Sequence, residues 1–164
     1  MDSSAAYPSV RRATAADAPG LKSFRCGLSP WYVRDAQQMV RRIPSYLDGD
    51  GGSRYGLVAL LFECDAQLVA VSAFQRQARS RGELSVLAVE TARQGSRLDD
   101  TGRTPLAVAV LHETLRAMRE AGYREAIAWI AKENQRSRRL VLGSGFVLDE
   151  TVDPTYDLAA ARLG

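Results

Sequence analysis

The sequence predicts an α/β (α+β) domain with a mixed, mostly antiparallel central sheet of about seven strands and helices on both faces. Three observations carry this. Apolar runs of strand character alternate with segments whose apolar residues recur at helical spacing, in the order strand, helix, helix, three strands, helix, strand, helix, two strands. The 164 residues suit one domain with a real core, and 46% hydrophobic with 25% charged content is ordinary for a globular chain. No repeat, low-complexity tract or linker divides the chain, so residues 9–164 are expected as one unit behind a flexible tail over residues 1–8.

Ser9 to Ala13 reads as a strand and Thr14 to Asp17 as a helix entry. Thr14 or Asp17 caps exposed amides there, and Pro19 suits the first turn, where its missing N–H costs nothing. Helical segments follow from about Ala18 to Arg25 and from Tyr32 to Leu47, the second carrying Val33, Ala36, Val40 and Ile43 as a stripe. Asp48 to Ser53, DGDGGS, is a flexible loop. Tyr55 to Glu63 and Gln67 to Gln75 are β-rich runs joined through Cys64-Asp65-Ala66 as an antiparallel hairpin. Glu83 to Val89, ELSVLAV, is a further central strand, and Thr91 to Thr104 is a polar, glycine-containing loop. Pro105 to Ala121 carries Leu106, Val110, Leu111, Leu115 and Met118 at helical spacing, and Gly122 stops it. Ala126 to Ala131 is a buried strand and Ser137 to Leu142 a short helix. Phe146 to Val152 and Tyr156 to Ala161 form a closing hairpin around Asp153-Pro154.

Composition narrows the chemistry. Cys26 and Cys64 lack metal-ligand spacing and read as reduced structural thiols, and His112, the only histidine, sits mid-helix. A Ser-His-Asp or His-metal mechanism therefore has little material, and no metal is expected. The net charge of +3 is small, although Arg136, Arg138 and Arg139 cluster locally, a suitable surface for an anionic partner. Aromatic and basic residues do not interleave as in a nucleic-acid module, so nucleic acid is not an expected partner. No apolar run approaches the roughly 20 residues of a membrane span, and MDSSAAYPS has neither a basic start nor an apolar segment. The expectation is a cytoplasmic protein with no membrane partner.

The most informative stretch is Asn134 to Phe146, NQRSRRLVLGSGF, which closes the longer block Ala121 to Phe146, AGYREAIAWIAKENQRSRRLVLGSGF. With VRRATAADAPGL at the start of the chain it resembles the GNAT superfamily of N-acetyltransferases, Asn134, Ser137, Leu140, Gly145 and Phe146 falling in register. The resemblance spans nearly the whole chain. It implies an acetyl-CoA-dependent N-acetyltransferase acting on a small-molecule or protein amine, with acetyl-CoA as co-substrate. The alternative is a catalytically weak or inactive acyl-CoA-binding domain with a partner-binding or regulatory role. It implies that the strand Glu83 to Val89 splays from its neighbour and that the pantetheine arm pairs with its backbone at Leu87 and Val89. The diphosphate then meets free amides at the start of the next helix. The family's glycine-rich phosphate loop aligns with Gly102-Arg103-Thr104-Pro105-Leu106-Ala107, of which only Ala107 fits. Pro105 removes one donor, and Arg103 and Thr104 offer side-chain contacts instead. A second register, Arg93-Gln94-Gly95-Ser96-Arg97, is richer in donors but leaves a long gap, and Arg97 could fold over the coenzyme.

For the chemistry, the resemblance puts a general base at Glu83, which otherwise reads as a surface carboxylate paired with Arg79 or Arg81. The oxyanion would meet the Val89 or Ala88 N–H at a β-bulge. The family's acid is a Tyr four residues after Ser137, but Val141 stands there. That leaves Ser137, Tyr156 or water as proton donor. Asn134 is expected to bond the pantetheine amide, to cap the short helix, or both. Acceptor recognition falls to residues 24 to 54 and the strand hairpin, with Phe24, Trp31, Tyr32 and Tyr46 as candidates that individually suit core or helix packing better. Phe24-Arg25-Cys26-Gly27 faintly echoes toxins that acetylate aminoacyl-tRNA, which keeps tRNA open as an acceptor. A homodimer also stays open.

Overall fold

The computed structural model describes residues 7–26, 30–48, 53–95, 104–150 and 153–164, with backbone alone over 30–35. Seven strands, Ser9–Arg12 (β1), Val58–Cys64 (β2), Gln67–Ala78 (β3), Arg81–Val89 (β4), Glu125–Ala131 (β5), Val147–Asp149 (β6) and Tyr156–Arg162 (β7), form one sheet in the order β1-β2-β3-β4-β5-β7-β6. The helices are Ala18–Ser23 (α1), Pro30–Arg42 (α2), Leu106–Glu120 (α3) and Gln135–Gly143 (α4). Neighbouring strands are antiparallel except β4 and β5. This is the mixed sheet that the sequence predicts, and β7 is inserted between β5 and β6.

Several boundaries move for local reasons. The helix expected from Tyr32 to Leu47 divides: α2 stops at Arg42, and Ile43–Tyr46 is a 3-10 turn holding Pro44, whose ring and missing N–H prevent an α-helical continuation. The strand expected from Tyr55 begins at Val58, because Tyr55 has φ 60° within a tight turn. The β2–β3 hairpin turns on Asp65 and Ala66 with φ of 50° and 61°, the double positive φ of a type I′ turn, whose twist matches that of the flanking strands.

Each sheet face carries its own core. On one side Leu106, Val110, Leu111 and Met118 of α3 and Val141 of α4 pack with Phe62, Phe74, Ala126, Ala128 and Ile130. Each fully buried large apolar side chain there contributes about 1.5–3 kcal/mol. Thr114, also buried on α3, satisfies its hydroxyl within this core, 2.6 Å from Ser72 Oγ and 2.6 Å from the Val110 carbonyl. On the other side Leu21 and Phe24, with Val40 of α2, cover Leu61, Val71, Val86 and Ala88.

The feature that positions the site is the seam between β4 and β5. They pair over three residues only, Arg81 with Glu125, Gly82 with Ala126 and Glu83 with Ile127. Gly82 is needed at this closed end, since a Cβ there would lie 2.6 Å from Met118 Cε and 3.0 Å from Tyr123 Cδ2. Just past it, β3 steps from Phe74 to Ala73 while β4 steps from Leu84 to Val86, so Ser85 is an extra residue in a bulge. A bulge bends its strand and sharpens the twist. From there β4 follows β3 to Val89 and β5 follows β7 to Ala131, with no pairing between them among the described residues.

Candidate active site

The parted strands leave a cleft of about 420 Å³ that passes from one face of the sheet to the other. Met39 and Arg42 of α2 line one end, and Leu111 of α3 with Leu140 and Val141 of α4 line the other. Strand alternation explains the two walls: Ala128 and Ile130 join the core under α3, so Trp129 between them faces the α2 side. Of the residues singled out in the sequence, Glu83, Leu87, Asn134, Ser137 and Tyr156 all line this one cleft. Ala88 and Val89 continue the same strand. Thr104, Pro105, Leu106 and Ala107 lie at the start of α3, outside its lining, and Arg97 and Arg103 fall outside the described residues.

Backbone groups decide what the open edge of β4 offers. Glu90 N–H donates to the Val69 carbonyl at 2.9 Å. Ladder positions alternate in an antiparallel pair, so Ala88, opposite Val71, also bonds β3, while Leu87 and Val89 turn their amides toward the gap. This corrects the expectation for Ala88, whose N–H belongs to the ladder and whose side chain is buried under α2. The bulge expected near Val89 lies at Ser85. The Val89 carbonyl accepts from Gln94 Nε2 at 3.2 Å, and Gln94 Oε1 accepts from Arg136 at 3.1 Å, a two-bond chain linking β4 to α4.

Pro105 is the N-cap of α3 rather than its first residue, and the N–H it lacks is one of the four at a helix start that no intrahelical carbonyl accepts, so no helical bond is lost. Val108 and Ala109 both donate to the Pro105 carbonyl, at 3.1 and 3.2 Å. No side chain caps the helix, and the Leu106 and Ala107 amides have no acceptor among the described residues. A 15-residue helix thus begins with two open donors at the positive end of its dipole.

Glu83 does not form the ion pair that was its alternative reading. Arg81 instead pairs with Glu125 at 2.7 Å, and no described cation meets Glu83. Burial raises the Glu83 carboxyl above the ordinary range, with no cation among the described residues to offset it. Asn134 is the N-cap of α4, its Oδ1 accepting from Ser137 N at 3.1 Å. The turn before it is held by Asp157, 1% exposed, which takes Lys132 Nζ at 2.6 Å and also Arg138. The hydrogen bond from Lys132 is the larger cause holding the Asp157 carboxyl below its usual range. This clamp joins the end of β5 to α4 and so fixes where Asn134 and Ser137 stand in the cleft. Val141 is 2% exposed at the position where the resemblance has a Tyr.

Sequence reasoning missed Ser85, Met39, Arg42 and Trp129, all lining the cleft. Ser85 Oγ is a buried side-chain atom without a hydrogen-bond partner among the described residues. Trp129 carried a readable signal, a bulky aromatic at an alternate position in EAIAWIA, but the apolar run hid it. Of the acceptor candidates, Phe24 is 5% exposed in the α2-side core, which answers its two readings in favour of packing. Tyr46 stacks edge-on with Tyr55 at 6.1 Å, and the side chains of Trp31 and Tyr32 fall outside the described residues.

A seven-stranded mixed sheet that parts between its only parallel pair, with helices on both faces, is the fold of the GNAT acetyltransferases. Solved structures bear this out. The GNAT domain of S. lividans PAT superposes with a TM-score of 0.71 at 18% identity, over 94% of this chain and 90% of that one. An acetyltransferase from Thermus thermophilus gives 0.69 at 20% identity, over 95% and 97%. PaiA N-acetyltransferase from Thermoplasma acidophilum, solved in complex with coenzyme A, gives 0.66 at 15% identity, over 94% and 98%. No family model matches the chain, and no curated protein does. No described helix is long and apolar enough to cross a membrane.

Proposed function

We propose that this chain transfers an acetyl group from acetyl-CoA to an amine. The observation that carries the reading is the through-sheet cleft, which lets a thioester enter from one face and an amine from the other. The pantetheine arm lies along the open edge of β4 as an extra strand, bonded to the Leu87 and Val89 backbone. The diphosphate sits at the Leu106 and Ala107 amides, favoured by the α3 dipole, with Thr104 beside it. Asn134 keeps α4 capped at the cleft wall.

Chemistry then needs a neutral amine, a polarised carbonyl and a proton for the leaving thiolate. Glu83, raised by desolvation, takes the proton from the attacking nitrogen, directly or through water. Val89, expected to hold the oxyanion, stands six residues along the strand from Glu83 and outside the cleft lining. The Leu87 N–H, turned to the gap within the lining, is the donor suited to the oxyanion. Ser137 and Tyr156 are two of the cleft hydroxyls and can return a proton to sulfur, since Val141 cannot. Holding amine and thioester together supplies much of the acceleration even where that acid is weak. A second reading, an acyl-CoA-binding domain with little or no turnover, is favoured by Val141 and by the Gln94 amide occupying the Val89 carbonyl.

Calorimetry with acetyl-CoA followed by thiol release across a panel of amines separates the readings. Binding with amine-dependent thiol release is the expected result. Binding without release leaves the second reading, and absence of binding removes both.

A further inference from the structure

The α2-side mouth of the cleft has a chemistry of its own. Trp129 is 47% exposed and Met39 36% exposed, although both line a cleft rather than an outer surface. The strand neighbours of Trp129, Ala128 and Ile130, are buried, so the indole is not required to close the core. Exposed apolar surface grouped at the rim of a cleft marks a binding site more often than accident. Arg42 is exposed here, and no described residue makes an ion pair or hydrogen bond with its guanidinium. Among the described residues, Arg42 and Glu83 are the only charged ones lining the cleft, and they do not pair with each other.

The path of α2 separates Arg42 from the phosphate end of the coenzyme. Gln37 donates to the Phe24 carbonyl at 2.5 Å and accepts from the Cys26 amide at 3.2 Å. Cys26 in turn bridges Glu90, just past the end of β4. The helix therefore runs back from that end, and Arg42, at its last turn, comes toward Glu83. Its guanidinium is left for the acceptor.

We infer that the acceptor is a small amine bearing a carboxylate and an apolar or aromatic portion, an apolar α-amino acid being the simplest member. This rests on the transferase reading. An amine and a carboxylate joined by a short carbon link complete the ion pair that Glu83 and Arg42 do not make directly. The carboxylate takes the planar two-donor fork of Arg42. The apolar portion lies against Trp129 and Met39. The amine nitrogen bonds to the acetyl carbon, the carbon–sulfur bond breaks, and coenzyme A leaves with the proton that the nitrogen gives up.

The test measures thiol release from acetyl-CoA with L-phenylalanine, L-leucine, L-phenylalaninamide and phenethylamine, in the wild type and in Arg42→Ala, Arg42→Lys and Trp129→Ala. The expected result is kcat/KM for phenylalanine about 10–100-fold above that for its amide, the range of a charge-assisted bond. Arg42→Ala lowers the amino acid at least about ten-fold more than the amide, through KM, and Arg42→Lys restores part of the difference. Trp129→Ala raises KM for phenylalanine. Equal use of acid and amide, preference for phenethylamine, or no turnover of any of the four by protein that binds acetyl-CoA in calorimetry overturns this inference and leaves the transferase reading standing. Absence of acetyl-CoA binding overturns both.

Discussion

Replacing Glu83 by Gln keeps the size of the side chain and its place on the cleft wall but removes its ability to take a proton. A positioned general base contributes about 10²–10⁴ in rate, or about 3–5.5 kcal/mol in the barrier at 1.36 kcal/mol per decade. The structure adds a pH signature. Burial raises the Glu83 carboxyl, so the wild-type kcat/KM climbs with unit slope through a limb displaced above the ordinary 4.5 and then levels. A second limb belongs to the amine substrate, which must be neutral, and survives in the variant. Stability carries the same group with a definite sign. Between 4.5 and the raised value the folded chain keeps a proton that the unfolded chain has released, so stability falls as pH rises across that window. Glu83→Gln lacks this fall. The assay is continuous thiol detection from acid to alkaline pH, with acetyl-CoA affinity measured alongside. Glu83→Gln is expected to lose the lower limb and about 10²–10⁴ in rate, with coenzyme affinity within about two-fold. A retained limb, or a loss under about three-fold, refutes the base assignment.

Three further perturbations test separate parts of the account. Ser85→Ala removes a buried hydroxyl that lacks a partner, and is expected to stabilise the unliganded protein by about 1 kcal/mol, seen as a higher thermal midpoint. A lower midpoint would mean that the hydroxyl is satisfied. Ala66→Gly relieves a left-handed φ of 61° in the β2–β3 turn and is expected to gain about 1 kcal/mol in denaturant unfolding, whereas a loss would contradict the turn geometry. Gln94→Ala frees the Val89 carbonyl and Arg136, and is expected to tighten acetyl-CoA by about 2–10-fold in calorimetry. Weaker binding would make Gln94 a coenzyme contact instead of a competitor.

The element order was legible because each segment carries its own period. ELSVLAV and EAIAWIA read as strands, and the Leu106 to Met118 spacing reads as a helix. Which strand edges stay apart was not legible from the residues, since a period of two says nothing of a neighbour. The resemblance supplied the splay, and the bulge at Ser85 with the close packing at Gly82 supplies its local cause. The same limit explains Ala88: its side chain reads as ordinary strand, but only the ladder phase reveals that its N–H is already used. Asn134 was readable as a cap because a cap is a local event, and the structure makes that bond. Arg42 and Trp129 escaped because their meaning lies in what stands across the cleft, on elements far apart in the chain. Phe24 was ambiguous for the opposite reason, since an aromatic beside a loop suits a pocket or a core until the packing is seen.

The central claim is that the unpaired edge of β4 and the start of α3 receive a coenzyme thioester. Residue-resolved amide exchange with and without saturating acetyl-CoA tests it most directly. The account predicts slowed exchange at Leu87, Val89, Leu106 and Ala107, and little change at Ala88, which already bonds β3. Protection confined to other parts of the chain, or none at these four amides while acetyl-CoA is bound, would contradict it.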